Sequence, residues 1–252
     1  MKTINKFLAG LFMLGYGAVA LAVPTLQLNI EGGFYDTTDE TIVTTSNVFT
    51  VHALAKVDDF QLILDEPVYL AIAITPKQAE TMPDIGSFKV GSDTYTINEL
   101  MYGIPPIENA EAIFDGGDLG KHSIYETYFL ELAFNFDASV TVAEFNTQDD
   151  AGATPTPATE GKLLYLKEFE IDASGLLAEF NLHFDLYNTH VKNSRNCSGP
   201  EDCDFDINDF APFSHDAGTV RVPEPNALAL LGMGLLFLGL INIRNRVVKV
   251  KR

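Results

Sequence analysis

Asp202, Asp204, Asp206 and Asn208 stand two residues apart and are followed directly by Asp209. Hard cations such as calcium take several oxygen ligands at once, so five side-chain oxygen donors this close together form a candidate calcium set. Cys203, Phe205 and Ile207 alternate with them, so the same stretch also reads as a strand with an apolar inner face and an acidic outer one. An EF-hand needs Gly at its sixth position and Glu at its twelfth. Counted from Asp202 those positions hold Ile207 and Phe213, which excludes that motif. A looser calcium site using Asp209 and loop carbonyls remains, and no other cofactor is expected.

The other chemistry-bearing residues do not assemble into a recognisable active site. His52, His122, His183, His190 and His215 are scattered, with neither a His-Glu-x-x-His pair nor a Gly-x-Ser-x-Gly elbow. A surface or hydrogen-bonding role is the expectation for each. Asp115 to His122 is glycine-rich, yet Asp115 occupies the first glycine of a phosphate loop and His122 replaces its Ser or Thr. Carboxylate pairs recur throughout so acidic a chain, so they do not single out a glycosidase. Asn196, Cys197 and Ser198 match a glycosylation acceptor by chance. Cys197 and Cys203 are expected to form a disulfide across a short loop if the chain is exported. A two-cysteine metal site would need further ligands.

The elements that carry these residues read as strands. Phe180, Leu182, Phe184 and Leu186 alternate with Asn181, His183, Asp185 and Tyr187, which predicts one face in the core and one in water. Phe49 to Val57 and Leu130 to Phe136 repeat the pattern. Val68 to Ile74 is almost wholly apolar, as in a central strand covered on both faces. Further strands are predicted at Thr25 to Ile30, Ile42 to Thr45, Gly86 to Val90, Thr94 to Ile97, Val140 to Phe145 and Leu163 to Ile171. Glu108 to Phe114 would make a turn or two of helix. Asp149 to Gly161, rich in Pro, Thr and Ala, reads as an exposed loop between neighbouring strands. The pattern is that of an all-β fold, a single antiparallel β-sandwich or jelly-roll-like ectodomain over residues 23–219.

Charge bounds the partners. The 252 residues carry a formal net charge of -19, from 35 acidic and 16 basic side chains. Every acidic residue lies between Glu31 and Glu224, while seven of the basic ones sit near the two ends. So acidic a body repels nucleic acid and anionic lipid, which excludes a nucleic-acid function and favours solubility and cations.

Both ends read as targeting segments. Residues 1–22 have lysines at 2 and 6, an apolar run from Phe7 to Leu21, and small residues at Ala20 and Ala22. That is the form of a secretory signal peptide cut by signal peptidase after Ala22. Residues 220–252 contain Val222, Pro223, Glu224 and Pro225, then a charge-free run over 226–243, then a basic tail over 244–252. About 18 such residues suffice for a transmembrane helix, and the basic tail would stay cytoplasmic. Pro223 and Pro225 remove backbone donors and hold the segment before the helix extended, the form a protease can thread.

This C-terminal order resembles the PEP-CTERM sorting signal of Gram-negative bacteria, carried by Val222 to Pro225, by Gly232, Gly234 and Gly239 in the apolar run, and by Arg244 and Arg246. The resemblance implies an inner-membrane intermediate, cleavage by an exosortase near the motif, and delivery to the cell surface or beyond. An ordinary single-pass anchor is the alternative. The body resembles the choice-of-anchor N proteins at Thr25 to Gly33 with Tyr35 and Asp36, at Tyr125 to Phe129, at His183 to Asn188 and at Asp209 to Asp216. That resemblance brings no catalytic residues. The expectation is a non-enzymatic surface or matrix protein associated with extracellular polysaccharide and biofilm. A carbohydrate-binding module contacting glycan through exposed Tyr187 and Asp185 is one alternative, and a polysaccharide hydrolase is another.

Overall fold

A computed structural model describes residues 25–38, 40–57, 64, 66–107, 126–193, 209–212 and 215–220. Thirteen strands fall within them, in two sheets. Sheet A contains β1 (Leu26–Ile30), β4 (Val48–Lys56), β11 (Leu163–Asp172), β6 (Phe88–Val90) and β7 (Asp93–Tyr95) in that order, with β10 (Thr141–Ala143) also paired to β11. Sheet B runs β2 (Phe34–Asp36), β3 (Thr41–Thr44), β13 (Ala217–Thr219), β12 (Asn181–Tyr187), β5 (Val68–Thr75), β9 (Thr127–Phe134) and β8 (Met101–Gly103). A single-turn helix, α1 (Thr189–Lys192), follows β12 and is capped by the Asn188 side chain, which accepts from the backbone of His190 and Val191.

Alternation explains why the sheets face each other. Leu26, Leu28 and Ile30 of β1, Val51, Ala53 and Ala55 of β4, and Leu70, Ile72 and Ile74 of β5 enter one core with Leu182, Phe184 and Leu186 of β12. Phe49 of sheet A meets Phe184 of sheet B edge-on at 6.0 Å, and Phe169 meets Phe134 likewise at 5.1 Å. The result is the expected all-β sandwich. Every pairing is antiparallel except one, because β13 lies parallel to β3. More than 170 residues of sequence separate those two strands, so no hairpin dictates their direction.

Within the described residues each predicted strand has a counterpart, although the one expected at Thr94 to Ile97 ends at Tyr95 because Thr96 caps a 3-10 turn over Ile97–Glu99. The strand reading of Asp202 to Asn208 lies outside the described residues. β5 is central and buried on both faces as its composition implied. Alternation did not find β2, β8 and β13, each three residues long. β6, β7 and β10 are as short, but the sequence runs that predicted them extend past the paired residues. The loop after β10 does join neighbouring strands, but it is fastened down. Asn29 on β1 donates to the Ala153 carbonyl at 2.8 Å and accepts from the Gly152 amide at 3.0 Å. Gly152 has a positive φ of 76°, and a Cβ there would lie 2.0 Å from the Gly33 carbonyl oxygen. Among the described residues no helix is long and apolar enough to cross a membrane. The leader over 1–22, the run over 226–243 and the helix expected at Glu108 to Phe114 lie outside the described residues.

Candidate functional site

One expectation about β12 fails. Its second face is not wet: His183, Asp185 and Tyr187 are all buried, Asp185 and Tyr187 almost completely. The sequence pattern shows that two faces differ in polarity, whereas burial of the polar face depends on what the chain lays over it. Beside Tyr187 the sheet is extended by Phe210, which pairs with it in an isolated antiparallel bridge while the Ala211 amide donates to the Leu186 carbonyl. Tyr187 and Asp185 therefore offer no exposed surface to a glycan.

Three elements bring a His-Asp-Asp cluster together on this outward face of sheet B. His183 and Asp185 stand two apart on β12 and so point the same way. Opposite them on β5 lie Ala73 and Ala71, whose small side chains leave room. On the other side β13 pairs Gly218 with His183, and Asp216 immediately precedes that strand. His183 Nε2 lies 3.0 Å from Asp185 Oδ1 and 3.6 Å from Asp216 Oδ2. One donor atom from each of the three falls within 4.8 Å of the others, and all three residues are buried. Asp185 is 1% exposed, and its Oδ2 has no hydrogen-bond partner among the described residues. With both carboxylates ionised, even a protonated His183 leaves the cluster one negative charge in excess.

A second polar group shares the same face. Tyr187 donates to Glu131 Oε1 at 2.7 Å, and the Lys192 ammonium pairs with Glu131 Oε2. Lys192 also sits over the Tyr69 ring, which stacks on Tyr187 at 5.9 Å. This network satisfies both oxygens of its carboxylate.

The other described histidines are hydrogen-bonded, and two of them are buried. His52 is enclosed with its Nδ1 3.5 Å from the Asn29 amide nitrogen and its Nε2 3.5 Å from Glu168. His215 Nε2 lies 3.1 Å from Asn146 Oδ1, and burial pushes its imidazole down to about 4. His190, largely exposed, faces Asp209 Oδ2 at 3.0 Å.

The candidate calcium set is only partly visible. Asp209 is engaged at both oxygens, accepting from Asn188 Nδ2 at 2.7 Å while facing His190. Asp202, Asp204, Asp206 and Asn208 lie outside the described residues, as do His122, Cys197 and Cys203, Ala20 and Ala22, and Val222 to Pro225. Sequence reasoning missed the His183, Asp185 and Asp216 cluster. Its signals were the His-x-Asp spacing on one strand face and the small residues of β5, but Asp216 lies 31 positions further on and only the β13 pairing brings it close.

Comparison with known families places residues 221–246 in the PEP-CTERM protein-sorting motif. No curated protein and no solved structure shows significant similarity to the chain. The motif marks exported proteins of Gram-negative bacteria for membrane-associated sorting by an exosortase and surface display. The residue at which it starts bears on the fold. Thr219 closes β13 between β3 and β12, and the Val220 amide donates to the Thr44 carbonyl, so the sorting motif begins one residue after the last described sheet contact.

Proposed function

We propose that this is a non-enzymatic protein of the bacterial surface or extracellular matrix, cut by an exosortase near Val222 to Pro225 and acting beside extracellular polysaccharide and biofilm. The observation that carries the reading is the sorting motif at residues 221–246, set directly after the strand that completes sheet B. A cut near Pro225 leaves every described strand with its partners. The acidic body, soluble and repelled by anionic lipid, suits a domain that leaves the membrane. Its membership of the choice-of-anchor N proteins belongs to the same proposal and rests on the quoted segments. A profile of that family aligned across residues 25–216 tests it.

Intact-mass measurement of the surface or released form, made in a strain with an exosortase and in one without, tests the sorting. The expected product lacks residues beyond about 225 only where the exosortase is present. A mass that retains the basic tail in both strains rejects the proposal in favour of a permanent anchor. Binding of the released protein to the polysaccharide of its own host, measured by co-sedimentation, tests the matrix role.

A further inference from the structure

The structure assigns a buried divalent transition-metal site to His183, Asp185 and Asp216, independent of how the chain is sorted. Three observations converge on it. The donor atoms come from two distant places in the chain, β12 and the residue before β13, and meet within 4.8 Å. Asp185 is 99% buried with one oxygen unpartnered among the described residues, a costly arrangement unless something occupies it. The cluster also holds two carboxylates against a single imidazole, so a divalent cation with neutral His183 brings its charge to zero.

Geometry and chemistry narrow the ion. Bonds of about 2.0–2.2 Å in a tetrahedral arrangement put ligand atoms roughly 3.3–3.6 Å apart. The two separations from His183 Nε2, 3.0 and 3.6 Å, bracket that span, and the two carboxylates, within 4.8 Å of each other, would close on an ion by rotation of their side chains. Imidazole nitrogen with two carboxylates suits zinc, manganese or iron(II), whereas calcium and magnesium prefer oxygen alone. Binding takes the Nε2 lone pair of a neutral His183 whose ring proton sits on Nδ1: an imidazolium releases its Nε2 proton to solvent, whereas a neutral ring protonated at Nε2 exchanges that proton for one on Nδ1. Three protein ligands leave a fourth position for water. The carboxylates are enclosed and only the His183 side chain is 11% exposed, so the ion is placed to fasten Asp216, at the start of β13, to β12 and not to meet a large substrate.

The test uses the full chain purified without chelator. Metal content is measured directly, and the protein is then stripped and titrated with zinc, manganese and calcium while its melting temperature is followed. The expected result is one equivalent of transition metal, a melting temperature raised by zinc or manganese and reversed by EDTA, and little response to calcium. Asp185→Asn and Asp216→Asn each weaken zinc binding at least about tenfold. Electron spin-echo spectra of the manganese-loaded wild type show an imidazole nitrogen coupling, a readout that does not depend on a variant folding. Undetectable binding of zinc and manganese, or a manganese spectrum without nitrogen coupling, overturns the site. Unchanged metal affinity in a folded Asp185→Asn protein also overturns it and sends the ion to other acids of the chain.

Discussion

On the outward face of sheet A, Gln27, Asn29 and His52 are buried, as His183, Asp185 and Asp216 are on the outward face of sheet B. The sheet A layer is closed by neutral groups. Gln27 donates to the Phe145 carbonyl and accepts from the Thr147 amide and hydroxyl, each at 2.9 Å, while Asn29 holds Gly152 and Ala153. Backbone from a single loop answers the side chains of β1, and a small apolar cluster of Leu54, Val142, Phe145 and Leu164 seals it. The sheet B layer is charged, and backbone dipoles do not neutralise two carboxylates. Neutral polar layers are completed by a loop that lies over them; charged ones need a counter-charge. Glu131 has its counter-charge in Lys192, and the neighbouring cluster takes its own from an ion.

The largest expected effect in this contrast is at Gln27. Gln27→Ala orphans the Phe145 carbonyl and the Thr147 donors in a buried place and leaves a cavity, a loss of about 3–5 kcal/mol by urea denaturation. Because no ion takes part in that layer, the loss is the same with and without EDTA. A loss that EDTA magnifies would join the two layers and break the comparison. Gly152→Ala comes next. Its positive φ and the 2.0 Å approach to the Gly33 carbonyl force the loop away from β1, at a cost of about 2–3 kcal/mol, and amide exchange should quicken at Gly152 and Ala153.

How much of this was legible in the sequence follows from what each layer depends on. Strand existence came through wherever alternation ran five residues or more, as in β4, β11 and β12. Val68 to Ile74 even disclosed burial on both faces, because its composition left no polar side. His183 and Asp185 disclosed only their common face. Whether that face meets water is decided by distant segments, here Tyr69, Glu131 and Asp216, and one sequence carries no local trace of such pairing. Gln27 and Asn29 were hidden for the same reason, since their partners lie more than a hundred residues away. The sorting motif was legible throughout because its order is linear, and residues 221–246 match it without reference to the fold.

Lys192 sharpens the contrast inside sheet B. Lys192→Met keeps the apolar stem over Tyr69 but leaves the Glu131 carboxylate, whose side chain is 5% exposed, with only the Tyr187 hydroxyl. Lys192 is itself about a third exposed, so screening reduces the cost to about 1–2 kcal/mol. Thermal melts at two zinc concentrations should give the same difference from wild type, since Glu131 already has its cation. A difference that shrinks as zinc rises would show that the ion reaches Glu131 and that the two polar groups form one site.

The smallest effect tests whether the sheet A layer is neutral, as the comparison requires. Burial lowers the His52 imidazole below its ordinary 6.5, and the Glu168 carboxylate opposes that shift without overcoming it. As pH falls through 6.5 the unfolded chain takes up a proton at His52 while the folded chain does not, so the unfolded state binds more protons and stability declines. The contribution is complete above 6.5 and is lost as pH drops through the depressed folded value, with a slope of at most about 1.4 kcal/mol per pH unit for one proton. His215 is pushed the same way, so the measurement is a difference between wild type and His52→Gln across pH 4.5 to 7.5, roughly the histidine range. The expected outcome is a shallower decline in the variant. An unchanged slope would mean that Glu168 keeps His52 charged in the fold, and sheet A would then hide an ion pair of its own beneath the loop that closes it.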